Sequence, residues 1–108
     1  MAVLAVWSVI KDAGSAVMSW LLGAFTDAWV RLRGGTVTAR RQARERFLTP
    51  LLRHLSEAGL GSISEIADGD PPHTPRGCPF QAWSMGELLR LKLLVLAEEK
   101  KVPRRKQA

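Results

Sequence analysis

The run Leu88-Leu89-Arg90-Leu91-Lys92-Leu93-Leu94-Val95-Leu96 constrains this chain more than any other stretch. It is rich in strong helix formers, so a helix is expected, starting near Gln81–Ser84 and ending near Lys100. On a helix, Leu88, Leu89, Leu91, Leu93, Leu94, Val95 and Leu96 cover most of the circumference, and only Arg90 and Lys92 interrupt them. A helix that is apolar nearly all round belongs inside a larger assembly. Three or four helices, all that 108 residues readily supply, do not bury it from every side. The expected fold is therefore all-α and incomplete on its own. It would pack against a second copy, a partner, or a missing part of its parent domain.

The preceding elements also read as helices. Ser15 is placed to cap a helix running to about Leu32, with Val17, Leu21, Ala24, Phe25, Ala28 and Leu32 on a broad apolar face widened by Trp20 and Trp29. Gly34-Gly35 stops it. Thr36 or Thr38 caps the next helix, which is expected to run to about Ala58, before Gly59. Phe47, Leu48, Leu51, Leu52 and Leu55 form its buried stripe. Pro50 lacks an N–H and should kink or divide that helix. Residues 59–79 read as a loop, with only a weak alternation over Ser62–Ile66.

The net charge of +6 raises the question of a polyanionic partner. No nucleic-acid-binding motif accompanies the arginines between Arg31 and Arg53, and the basic tail at 101–108 reads as a solvated end. Nucleic acid is therefore not an expected partner. Neither N-terminal apolar run approaches the roughly 20 residues that span a bilayer, and no basic segment precedes the first one as in a secretory leader. Membrane insertion is not expected. The single cysteine, Cys78, allows no internal disulfide, and a reducing, cytoplasmic setting is the default.

Few residues suit chemistry. His54 and His73 have no partner at zinc spacing, and Asp68-Gly69-Asp70 lacks the rest of a calcium loop, so no metal and no cofactor is expected. His54 is assigned to the polar side of its helix, and Cys78 to a small buried position beneath a turn. Gly59-Leu60-Gly61-Ser62 is followed by no phosphate-loop lysine and reads as a helix stop with a tight turn. The loop carboxylates Glu65, Asp68 and Asp70 remain. Their plain reading is a solvated turn in which the aspartates bond nearby amides. Glu65 differs because it lies between Ile63 and Ile66. Partial burial raises a carboxyl pKa and suits the group to general acid or base work. Trp83, Gln81 and His73 are side-chain types found around sugars: an indole stacks on a pyranose ring, and amide and imidazole groups bond hydroxyls.

One extended pattern goes further. Gly61-Ser62-Ile63-Ser64-Glu65-Ile66, Asp68-Gly69-Asp70-Pro71-Pro72-His73, Arg76-Gly77-Cys78-Pro79, Gln81-Ala82-Trp83-Ser84 and Glu87-Leu88-Leu89-Arg90 together resemble the C-terminal end of glycogen debranching enzymes, in their amylo-α-1,6-glucosidase module. Ser19-Trp20-Leu21-Leu22-Gly23-Ala24-Phe25 and Leu51-Leu52-Arg53-His54-Leu55 are similar to helices of the same module. The resemblance covers about residues 14–97. It implies the C-terminal helices of an (α/α)6 barrel and an inverting glucosidase acting on glycogen or a branched α-glucan. It also implies Glu65 as general base, Trp83, Gln81 and His73 at the glucose, and Asp68, Asp70 and Gly77 shaping the loop.

The chain departs from that pattern in two ways. Ahead of Ser19 the family has an aromatic–histidine pair that is missing here, and Met18 stands near an expected tryptophan. The family's proton donor lies upstream of anything present. The implied organisation is an unmatched segment over 1–13, the debranching-type module over 14–100 and the basic tail over 101–108. A catalytically silent helical remnant that oligomerises or docks through its apolar faces is the alternative.

Overall fold

A computed structural model describes residues 16–57 and 60–98, which are mostly helical. The expected cap at Ser15, the 1–13 segment and the tail at 101–108 lie outside the described residues. The described part opens on a short strand, β1 (Ala16–Met18), and continues into helix α1 (Leu21–Leu32). Helix α2 (Val37–Ala43) leads through a π-helical turn at Arg44–Leu48 into α3 (Thr49–His54). Strands β2 (Ile66–Asp68) and β3 (Pro75–Arg76) follow, then helix α4 (Ala82–Arg90) with a second π-helical turn at Leu91–Val95.

Helix α1 starts later than its apolar pattern suggests, because the residues before it are taken up by a sheet. β1 pairs antiparallel with β2, Val17 opposite Ala67, and β2 pairs antiparallel with β3, Ala67 opposite Pro75. The stretch 59–79 is thus not all loop. The buried face of α1 is also turned by one residue from the expected stripe. Leu22, Gly23, Thr26 and Val30 are buried, whereas Leu21, Ala24, Ala28 and Leu32 are exposed. One residue is about 100° of helix rotation. Two local causes hold this setting. Thr26 Oγ1 donates to the Leu22 carbonyl at 2.7 Å, so its hydroxyl is buried with its bond made. Gly23 is covered by Glu87 of α4, which approaches closer than any side chain at this position would permit.

The glycine stop behaves as expected. Gly34 N–H reaches the Arg31 carbonyl at 2.9 Å and Gly35 N–H the Val30 carbonyl at 3.0 Å, the paired bonds of a Schellman motif, with φ of 75° at Gly34. Thr36 caps α2, its Oγ1 accepting from Ala39 N–H at 3.1 Å. Pro50 divides the next helix. It has no N–H for the Arg46 carbonyl and its ring would meet that carbonyl in an unbroken α-helix. The ladder widens in the turn just before it. The helix also ends short of Ala58: α3 closes at His54 and turns follow.

Leu22, Val30, Phe47, Leu48, Leu51, Ile63, Leu88, Leu91 and Leu96 are among the buried core, with Leu52 and Leu55 packed against it, as the stripe over 47–55 predicts. Phe47 is the hub, meeting Phe25 and Trp29 edge-to-face at 5.5 and 5.4 Å. Arg44 ties the end of the last helix down. Its guanidinium pairs with Glu98 at 2.7 Å and also donates to the Leu96 carbonyl. The last helical stretch closes at Val95, capped by Leu96, rather than near Lys100, and among its leucines and the cap only Leu88, Leu91 and Leu96 are buried. Leu89, Leu93 and Leu94 stay exposed, Leu94 at 73%. That uncovered side is the one the near-continuous leucine ring predicts.

Candidate functional site

Glu65 stands immediately before β2, where the three strands and the starts of α1 and α4 converge. Its backbone is pinned on both sides. Its N–H donates to the Cys78 carbonyl and its carbonyl accepts from Ser19 N–H, each at 2.9 Å. Its carboxylate is held as well: Oε2 accepts from Cys78 N–H at 3.0 Å. Oε1 has no hydrogen-bond partner among the described residues, and no cation there pairs with this carboxylate. The residue is half-buried, its carboxylate oriented through one oxygen and without a partner at the other among the described residues.

Gly77 makes this possible. Its backbone is left-handed (φ 70°), and a β-carbon on it would stand 2.7 Å from Glu65 Oε2 and 3.2 Å from Ile66 Cγ1. Cys78 follows with both backbone polar groups given to Glu65. Its thiol is exposed, so the expectation of a buried cysteine is corrected: the turn uses the backbone of Cys78 and leaves its side chain in solvent.

The start of α4 is fixed to the same segment. Gln81 N–H donates to the Ile63 carbonyl at 3.4 Å, and the Ser84 hydroxyl donates to Gln81 Oε1 at 2.6 Å. Trp83 lies in the first turn of α4, 58% exposed, its indole stacked on Trp20 with centroids 4.2 Å apart. Trp20 follows Ser19, which bonds Glu65. Glu65, Gly77, Gln81 and Trp83 therefore gather at one junction.

His73 and Asp70 do not join them. They sit on the turn between β2 and β3, at the far end of the hairpin. Three residue steps separate Glu65 from Asp68, roughly 10 Å at about 3.3 Å each. His73 Nδ1 lies 3.0 Å from the Asp68 carbonyl, and His73 N–H donates to the Asp70 carbonyl at 2.8 Å. The Asp68 carboxylate accepts from Arg76 Nε at 2.6 Å and holds that guanidinium above its ordinary pKa. Asp68 is thus engaged in bracing the hairpin.

Three features went unmarked in sequence. His54 is half-buried rather than facing solvent, its Nδ1 3.2 Å from Glu57 and its Nε2 3.4 Å from the Ser64 hydroxyl. Trp20 is the stacking partner of Trp83, a contact that its helical phase gives no hint of. Asp27 is the centre of an ion cluster: it accepts from Arg31 Nε at 2.8 Å and from Arg90 Nη1 at 2.9 Å, while Arg90 also holds Glu87. Hydrogen bonds from Arg31 and then Arg90 lower the Asp27 pKa, and the bonds that Arg90 donates to Glu87 and then Asp27 raise its own. The cluster edges a cleft of about 440 Å³ walled by Val30, Leu94 and Val95.

Among the described residues no group of three metal-ligating side chains occurs, and no helix is long and apolar enough to cross a membrane. A family model described as amylo-alpha-1,6-glucosidase matches residues 13–90. No curated protein and no solved structure matches.

Proposed function

Because the chain belongs to the amylo-alpha-1,6-glucosidase family, we propose that it serves the hydrolysis of α-1,6-linked glucose at branch points of glycogen or a similar branched α-glucan, with Glu65 as the general base of an inverting reaction. The observation that carries this reading is the state of Glu65: one carboxylate oxygen is fixed by Cys78 N–H, and among the described residues the other has no partner and the group makes no ion pair. A base needs that arrangement. An ion-paired carboxylate is a poor proton acceptor, and an unrestrained one does not hold a water on line.

In an inverting glycosidase, two carboxyl groups stand roughly 6.5–9.5 Å apart, so that the base holds a water against the far face of the sugar while the acid protonates the leaving oxygen. Glu65 Oε1 takes the proton as water attacks the anomeric carbon. Trp83 gives a stacking surface and Gln81 a polar side chain beside it. Glycoside hydrolysis of this kind takes no cofactor. Neither aspartate of the hairpin fits the acid's role: Asp68 is bound to Arg76, and Asp70 is on the turn of the same hairpin. The acid belongs to a part of the glucosidase domain outside these residues. The exposed side of the last helix, Leu89, Leu93 and Leu94, supports the reading that further helices of an (α/α)6 ring cover it.

The test is glucose release from a branched limit dextrin, by the chain alone and with the preceding part of a family member's glucosidase domain added. The expected result is release in the supplemented mixture, with β-glucose formed first. No release in either mixture sinks the reading.

A further inference from the structure

Trp20 and Trp83 stack with their planes within 13°, but they are unequal partners. Trp83 is largely exposed. Trp20 is half-buried, and its indole N–H is buried with no hydrogen-bond partner among the described residues. A buried donor left unpaired is destabilising. Trp20 therefore contributes through the face of its ring rather than through its N–H. Both indoles are referred to the same piece of backbone. Trp20 follows Ser19, whose N–H bonds the Glu65 carbonyl, and Trp83 stands two residues after Gln81, whose N–H bonds the Ile63 carbonyl. The attitude of the stack toward Glu65 is thus set from both sides.

An indole has two faces, and Trp20 occupies one face of Trp83. Trp83 is 58% exposed, so the side of its indole that Trp20 does not cover is available to a ligand. A pyranose ring presents a patch of C–H groups that suits such a face. We propose that Trp20 is a positioning residue for carbohydrate: by covering one side of Trp83 and tying it to the Glu65 segment, it presents the opposite side to a glucose ring. This inference rests on the reading of Glu65 as the base.

The test titrates isomaltose and a branched limit dextrin into the full chain, followed by tryptophan fluorescence and by the paired exciton band that stacked indoles give in circular dichroism. Trp20→Phe keeps a ring to stack and is expected to bind within about twofold of the unmodified chain. Trp20→Leu fills space without stacking and is expected to bind about tenfold more weakly or worse. Equal binding by Trp20→Leu overturns the proposal, as does absence of binding by the unmodified chain. Should Trp20→Leu fail to fold, the exciton band decides. Saturating dextrin must change it if the sugar lies on Trp83, and an unchanged band overturns the proposal. Glu65→Gln, with release assayed in the mixture supplemented with the preceding part of a family member's glucosidase domain, separates the two readings. Binding retained while glucose release is lost supports Glu65 as base, whereas release equal to that of the unmodified chain defeats that role and leaves the Trp20 result standing.

Discussion

Gly77 lies against Glu65 so closely that a β-carbon on it would sit 3.1 Å from Glu65 Cβ and nearer still to the carboxylate. The glycine meets two demands at once: a left-handed backbone and an empty space. Gly77→Ala breaks both. A left-handed alanine alone costs about 1–2 kcal/mol. The collision then pushes Glu65 Oε2 off Cys78 N–H. The expected outcome is a lower melting temperature, together with a loss of glucose release larger than the stability loss explains, measured where the variant is still folded. Full activity in a merely less stable variant would show that the carboxylate does not need this seat.

Glu65→Gln separates orientation from basicity. The amide oxygen still accepts from Cys78 N–H, so the junction of β2, β3 and α4 should hold and the melting temperature should stay within a few degrees. The amide takes no proton from water. Glucose release by the supplemented chain should fall by roughly 10²–10⁴-fold, the usual worth of a general base. A variant that keeps its activity would remove Glu65 from the chemistry.

What was legible in sequence follows from the range of the interactions involved. The Gly34-Gly35 stop, the Thr36 cap and the stripe from Phe47 to Leu55 depend on neighbours within one or two turns, and each is found where the pattern puts it. The candidate base stands out because it lies between Ile63 and Ile66. The sheet is invisible because strands of two or three residues carry no period, and their pairing joins Val17 to Ala67 across the intervening helices. The face of α1 is misread for a similar reason. Hydropathy favours Leu21 and Ala28 over Gly23 and Thr26, but the approach of Glu87 and a hydroxyl bond decide which side is covered. The stacking of Trp20 on Trp83 is likewise a product of the assembled fold.

Gly23 allows a separate test of how α1 and α4 meet. A β-carbon there would stand 1.8 Å from Glu87 Oε2 and 2.9 Å from Glu87 Cβ. The second contact is not the end of a flexible chain, so the helices have to part. Alanine at an open helical glycine stabilises by about 1 kcal/mol, whereas overpacking costs about 1–3 kcal/mol. Gly23→Ala is expected to be destabilising in urea or thermal unfolding. Adding Glu87→Ala should recover part of the loss, a coupling that independent sites would not show. A stabilised Gly23→Ala would contradict the close approach.

The Asp27 cluster predicts a pH dependence with a definite sign. Hydrogen bonds from Arg31 and Arg90 place the folded-state pKa of Asp27 below its unfolded value. A group of this kind contributes stability that is fully present above its unfolded pKa, about 3.9, and is lost as pH falls through the lower folded value. Above about pH 5 the contribution is constant; below about pH 4 it drains away. Other carboxylates also titrate there, so the informative quantity is the difference between the unmodified chain and Asp27→Asn. The neutral amide leaves Arg31 and Arg90 without their shared charge. The gap in melting temperature should be widest and flat from about pH 5 to 7, then close steadily toward pH 2. A gap independent of pH would mean that the substitution disturbs packing rather than charge, and a gap that opens in acid would reverse the inferred direction of the shift.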